Sequence, residues 1–143
     1  MLSQEQLAQF QAQIPFVFDF GIKGDPTGKL SFWQKNEIFP EGIQRCFWVY
    51  DVDEDETRGN HAHRSEGQVI VAIKGKISLK ITDTAGNTKA FTLENPYEGF
   101  YLPPKYWIQT KFESGAVLLG MCNEPFEDGD YIRDFEEFLA MGR

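Results

Sequence analysis

Residues 16–122 run as a succession of short extended segments cut by turn residues, and this texture limits the fold more than any other feature. The segments are 16–20, 30–35, 43–51, 60–64, 68–74, 76–82, 88–93, 100–102, 107–112 and 116–122. Between them stand Gly24-Asp25-Pro26, Phe39-Pro40-Glu41-Gly42, Ala85-Gly86-Asn87 and Glu113-Ser114-Gly115. Many short strands at this spacing predict an all-β sandwich or barrel and exclude a repeating β/α chain. Gly75, alone between two strands, predicts a tight corner or bulge. Only the ends read as helical. Ser3 as N-cap and Gln6 at N3 form a capping box, with Leu7, Phe10 and Ile14 on one face and Pro15 as terminator. At the other end Asp130 is expected to cap a helix carrying Tyr131, Phe135 and Phe138 as one apolar stripe. With no linker or repeat, residues 1–143 read as a single domain, and 1–15 as an N-terminal helical extension.

Charge narrows the partners. Fourteen Lys and Arg against 22 Asp and Glu leave a net charge of −8. That argues against a nucleic-acid binder or a surface drawn to anionic lipid, both of which need a cationic excess. A single small anionic ligand needs only a few local cations and stays open. Hydrophobic residues at 41%, with 13 Phe, 5 Tyr and 3 Trp, supply enough apolar surface for a packed core. Cys46 and Cys122 lie far apart in apolar runs with no CxxC, and read as buried reduced thiols. The opening residues are too polar for a signal peptide and no apolar run nears the ~20 residues of a membrane span, so a cytoplasmic protein is expected.

The two histidines of the whole chain both fall in Arg58-Gly59-Asn60-His61-Ala62-His63-Arg64. Side chains alternate along a strand, so His61 and His63 share one face and Ala62 takes the other. Facing inward, two imidazoles in one pocket suit metal ligation or acid–base chemistry near neutral pH. A catalytic divalent metal generally takes three protein ligands. No third histidine exists, Gln68 is a weak ligand, and Glu66 has the wrong parity to share the face on a continuing strand. No metal and no cofactor are therefore expected.

The order Gly59, His61, His63, Gln68, Gly75 resembles the first motif of the cupin superfamily, with Gln68 where metal-binding members carry glutamate. In the second motif region, 99–109, Ile108 or Gln109 stands near the usual histidine. A closer resemblance covers most of the chain. Asp25-Pro26-Thr27-Gly28-Lys29-Leu30, Gln44-Arg45-Cys46-Phe47-Trp48-Val49-Tyr50-Asp51, the Arg58–Arg64 string, Gln68, Gly75 and Asp130-Tyr131-Ile132-Arg133 are similar to the dTDP-sugar 3,4-ketoisomerases, the WxcM-like cupins. The departures are Thr27 and Ile108, where members often carry Arg and His, and the extra N-terminal segment.

The resemblance implies a cupin, or jelly-roll, β-barrel with short terminal helices, forming a homodimer with exchanged N-terminal strands. It implies a metal-independent isomerase that moves the ketone of a dTDP-4-keto-6-deoxyhexose from C4 to C3 through an enediol(ate), in deoxysugar biosynthesis. His61 and His63 are expected to share the proton transfers. Arg45 and Arg58 are candidates for anionic oxygens, since guanidinium offers a planar fork. Gln68, Tyr50, Tyr101, Trp107 and Arg133 complete the expected substrate-binding set. Two other readings are a non-catalytic cupin that binds a nucleotide sugar, and a metal-dependent cupin enzyme.

Overall fold

Alternation along individual strands already sorts the two faces of each sheet. In β4 (Arg45–Val49) the residues Arg45, Phe47 and Val49 are half-buried, while Cys46 and Trp48 are exposed. In β6 (Gln68–Lys74) five consecutive residues are buried, so both faces of that strand are covered. A computed structural model describes residues 2–142 and accounts for both patterns.

The remaining strands are β1 (Phe16–Asp19), β2 (Gly21–Asp25), β3 (Gly28–Phe32), β5 (Thr57–His63), β7 (Ile77–Thr82), β8 (Thr88–Leu93), β9 (Glu98–Leu102), β10 (Trp107–Phe112), β11 (Val117–Cys122) and β12 (Tyr131–Ile132). One five-stranded sheet has the order β1-β9-β6-β11-β4, the other the order β12-β5-β10-β7-β8, and every pairing is antiparallel. β2 and β3 form a separate hairpin. The architecture is the expected all-β one with two short helices. The two sheets face one another without closing into a single barrel.

Ile70, Ala72, Phe100, Leu102 and Leu118 from the first sheet meet Ile77, Leu79, Ile81, Leu93, Ile108 and Phe112 from the second, forming the central core. The outer face of the first sheet packs Val69, Val71, Tyr101 and Met121 against Phe16, Phe18, Phe20, Ile38 and Phe39. Leu7 and Phe10 of α1 (Gln4–Gln11) close over that second layer. A sheet strand covered on both faces reads as a continuous apolar run, which is why β6 lacks alternation. The expected capping box at α1 is present, with Ser3 Oγ accepting from the Gln6 amide and Gln6 Oε1 from the Ser3 amide.

Several expectations shift. The hairpin β2–β3 spans 21–32, where a turn at 24–26 and one strand at 30–35 were expected, and residues 33–35 lie outside any strand. Its β2 has no apolar alternation to announce it. Cys122 is buried, whereas Cys46 lies on the outward parity of β4 and is exposed. At the C-terminus, α2 (Phe135–Ala140) is capped by Asp134, whose side chain accepts from the Glu137 amide. Asp130 instead ends a short 3-10 turn, and Tyr131 belongs to β12, paired opposite His63. No helix among the described residues is long and apolar enough to cross a membrane.

One irregularity positions the site. Opposite Ile108 and Gln109, β5 carries an extra residue, Asn60, between Gly59 and His61. Gly59 and Asn60 both have positive φ, 86° and 54°. A Cβ on Gly59 would stand 2.7 Å from the Ile108 carbonyl oxygen, so the bulge requires glycine there. Gly59→Ala is expected to lower stability by about 1–3 kcal/mol, the range for a non-glycine residue forced into such a conformation. Urea unfolding measures this, and an unchanged midpoint would contradict the need for glycine in the bulge.

Candidate active site

The bulge hands β5 to its inward-facing histidines. His61 and His63 lie on the same side of the strand, their rings perpendicular at 5.2 Å between centroids. Ala62 takes the other side and packs under α2 with Trp107, Ile132 and Phe138. Between the sheets lies a cavity of about 310 Å³. Arg45, Phe47 and Val49 line it from β4, Arg58 and His61 from β5, and Gln68 and Ile70 from β6. Ile108, Thr110 and Phe112 close it from β10, with Leu118, Phe126 and Tyr131 completing the wall.

The two histidines have different surroundings. His61 borders the cavity; its Nδ1 lies 3.0 Å from the Gly59 carbonyl oxygen, which only accepts, so Nδ1 carries the proton. Its Nε2 then holds a lone pair in the neutral ring. Burial lowers the His61 pKa, opposed by the Gly59 carbonyl and assisted by the charge of Arg133. His63 has a side chain only 1% exposed and does not line the cavity. Its Nδ1 donates to Asp130 Oδ2 at 3.1 Å, and its Nε2 accepts from the Gln68 amide at 3.2 Å. Burial, followed by the charge of His61, pushes His63 down to about 4, against the pull of Asp130. Both ring nitrogens of His63 are thus committed to protein groups.

Those groups continue outward. Asp130 also accepts from the amides of Ser65 and Glu66 and from Ser65 Oγ, and these bonds hold its carboxyl below the usual range despite partial burial. The Gln68 amide donates to Glu66 Oε2 at 2.8 Å as well as to His63. Arg45 Nη2 reaches the same Glu66 oxygen at 3.3 Å and the Tyr131 hydroxyl at 3.4 Å. The Arg45 guanidinium lies 5.6 Å from the Phe47 ring centroid and 5.5 Å from that of Phe126. The Tyr131 ring packs on both histidines, 5.3 Å from His61 and 4.3 Å from His63.

Of the residues singled out from the sequence, Arg45, Arg58, His61 and Gln68 meet at the cavity, with His63 directly behind it. Four others do not. Tyr50 follows the outward parity of β4 and is exposed. On β9 the neighbours Phe100 and Leu102 take the core side, which turns Tyr101 to the outer layer, within 3.4 Å of Gln13 Oε1. Trp107 packs on Phe135 and Phe138 of α2. Arg133 is exposed, paired with Asp128 at 3.1 Å, its guanidinium 4.4 Å from the centre of the Tyr131 ring.

Four contributors were absent from that expected set: Tyr131, Asp130, Glu66 and Phe126. Tyr131 and Asp130 stood inside a motif already singled out but were assigned to a helix. Glu66 is brought back because β5 ends at His63, and the turn through 64–67 cancels the strand parity. Among the described residues no grouping of three His, Cys, Asp or Glu side chains is placed to hold a metal ion.

Residues 12–143 match the family model described as FdtA: WxcM-like, C-terminal. The chain is 30% identical over 123 residues to the TDP-4-oxo-6-deoxy-alpha-D-glucose-3,4-oxoisomerase of Aneurinibacillus thermoaerophilus, covering 85% of this chain and 88% of the other. The sugar 3,4-ketoisomerase QdtA of Thermoanaerobacterium thermosaccharolyticum, in complex with TDP, superposes with a TM-score of 0.84 at 27% identity, covering 89% of this chain and 93% of that one. A 3,4-ketoisomerase of Helicobacter canadensis gives 0.83 at 30% identity, over 89% and 96% of the two chains.

The lowered pKa of His63 ties stability to pH. A group whose folded pKa, about 4, lies below its unfolded value of 6.5 stabilises the fold above 6.5, and this contribution is lost as pH falls through 4. The shift corresponds to something on the order of 3 kcal/mol. Denaturation followed between pH 7 and 4 is expected to show a shallower decline in His63→Asn than in the parent. Parallel curves would refute the buried neutral imidazole.

Proposed function

Because this chain belongs to the FdtA, WxcM-like family, we propose that it is a TDP-sugar 3,4-ketoisomerase acting on a dTDP-4-keto-6-deoxyhexose in deoxysugar biosynthesis. The observation that carries the reading is a neutral imidazole, His61, whose proton-free Nε2 belongs to a ring bordering the cavity between the sheets. A base of this kind suits removal of the C3 proton, which the neighbouring C4 carbonyl acidifies. The electron pair left at C3 forms the C3–C4 double bond of an enediol(ate), and the former carbonyl electrons move to the C4 oxygen. Transfer of the C3 hydroxyl proton to the C4 oxygen, with delivery of a proton to C4, leaves the ketone at C3 and a hydroxyl at C4. Atoms balance without an external oxidant or reductant.

His61 is the member of the pair that faces the sugar. His63, held between Asp130 and Gln68, supports it from behind and couples to its charge, so their titrations belong to the pair. Charge developing on the sugar oxygens meets Arg58 and the Tyr131 hydroxyl at the cavity wall. The diphosphate of the ligand is assigned to Arg45 and Arg58, both on that wall. The apolar lining from Phe47, Val49, Ile70 and Phe112 leaves the polar groups few and directional, a usual feature of small-ligand sites.

A homodimer with exchanged N-terminal segments belongs to the same proposal. The hairpin β2–β3 leaves Ile22, Leu30 and Phe32 about half exposed, and Trp48 and Tyr50 project at the free edge of the first sheet. Light scattering after gel filtration is expected to give twice the chain mass.

Nuclear magnetic resonance of a dTDP-4-keto-6-deoxyhexose incubated with the protein in deuterated water reports turnover and the carbon that exchanges. Deuterium at C4 of the 3-keto product is the expected outcome. A folded protein that neither rearranges the sugar nor exchanges its protons would sink the isomerase reading and favour a binding protein. His61→Asn is expected to lose at least about 1,000-fold in kcat, within the span general acid–base catalysis supplies. Its affinity for TDP, measured by calorimetry, is expected to stay within threefold.

A further inference from the structure

Glu66 is the one carboxylate buried beside the cavity whose role nothing above explains. Its residue exposure is 3%, so an unpaired charge there would be costly. Its Oε2 accepts from Arg45 Nη2 at 3.3 Å and from the Gln68 amide at 2.8 Å. Arg45 in turn has few other anchors. Its Nη1 is buried with no hydrogen-bond partner, and its other neighbours include two aromatic faces, the Tyr131 hydroxyl and the Cys122 thiol. Cation–π faces hold a guanidinium at a distance but do not fix its rotation in the ring plane. The other groups beside it are neutral at pH 7: burial raises the Tyr131 hydroxyl, and pushes the Cys122 thiol up to about 12. Burial raises the Glu66 carboxyl, and the hydrogen bond from Gln68 and the charge of Arg45 oppose that rise; Glu66 is the carboxyl group that hydrogen-bonds to Arg45.

The same oxygen also orients Gln68. An amide nitrogen has two hydrogens, and here one goes to Glu66 Oε2 while the other goes to His63 Nε2. With Oε2 in place the amide presents its nitrogen to the imidazole. Turned over, it would present its oxygen to a lone pair.

We infer that Glu66 is a positioning residue of this site, whose buried carboxylate fixes the Arg45 guanidinium at the cavity wall and the Gln68 amide against His63. The inference rests on the reading of the cavity as the substrate site. Glu66 does not touch the substrate; it acts through Arg45 and Gln68.

The test uses the full chain, Glu66→Gln and Glu66→Asp, with two independent readouts. In ¹⁵N-labelled protein without ligand, cooled to slow guanidinium rotation, Arg45 is expected to give resolved Nη–H signals, assigned by their loss in Arg45→Lys. Glu66→Gln is expected to merge or broaden them while the backbone spectrum stays folded. In turnover, Glu66→Gln is expected to raise KM as Arg45, a partner of the diphosphate, loosens, and to lower kcat about 10- to 100-fold, the size of a misplacement near 1 Å. Glu66→Asp keeps the charge and draws the oxygen back by one methylene, and is expected to fall between the two in both readouts. Unchanged Arg45 signals in folded Glu66→Gln overturn the inference, whatever the enzyme turns over. If Glu66→Gln does not fold, unchanged signals in Glu66→Asp overturn it by themselves. A parent that shows the Arg45 signals and their loss, but no turnover, leaves the placement of Arg45 standing and refutes the isomerase reading alone.

Discussion

The carboxylate of Asp130 is the hinge on which the site is assembled. It accepts from His63 Nδ1, from the Ser65 and Glu66 amides and from Ser65 Oγ, four donors that all lie on one stretch of chain. Asp130 itself comes from the far end of the sequence, immediately before β12. These bonds therefore do two things at once. They lash the C-terminal segment onto β5, and they choose the tautomer of His63. Once Nδ1 carries the proton, Nε2 is an acceptor, Gln68 must point its amide nitrogen at it, and Glu66 and Arg45 follow in order. A chain of hydrogen bonds in which each donor and acceptor has one compatible orientation specifies a single arrangement, and a partly satisfied one would not.

This explains why two histidines one residue apart end in such different states. Strand parity gives them a common face, but β5 terminates at His63 while Gly59 and Asn60 bulge on the other side of His61. His63 is consequently taken into the polar interior beneath the turn through 64–67. His61 is left at the cavity with its Nδ1 turned back on the Gly59 carbonyl. Burial disfavours the charged form of both rings, which keeps a lone pair available at neutral pH.

The extended segments from 43 to 122 could be read directly, because each lies on a sheet whose buried face imposes alternation or continuous apolarity. The β2 strand could not. Gly21, Lys23, Gly24 and Asp25 carry no apolar face, and β2 turns into β3 at Pro26-Thr27, where Asp25 Oδ1 accepts from the Thr27 amide. At the site, the cavity-facing set of Arg45, Arg58, His61 and Gln68 was legible because each belongs to a motif that lies on a strand. Glu66 was misread through extrapolating parity past the end of β5. Tyr131 and Asp130 were misread through a helical spacing that starts only at Phe135. Tyr50, Tyr101 and Trp107 illustrate the reverse error. Aromatic character fits a ligand pocket and a protein core equally well, and only the register of β4, β9 and β10 decides between them.

The net charge of −8 acquires a more local meaning in this setting. Most of that excess sits on exposed loops and on α2, where salt screens interactions beyond about 8 Å at physiological ionic strength. The cavity wall presents Arg45 and Arg58, and the one buried carboxylate next to them, Glu66, has its charge engaged by Arg45. Buried pairs are screened far less, so the field that a diphosphate meets is set by these few groups and not by the molecule's total. Glu66 then has a cost as well as a use. In the proposed site its contact with Arg45 offsets part of the guanidinium charge, and the electrostatic work of anion binding is assigned chiefly to Arg58. An acidic protein can bind an anionic sugar nucleotide on these terms, provided that one arginine supplies geometry and the other supplies charge.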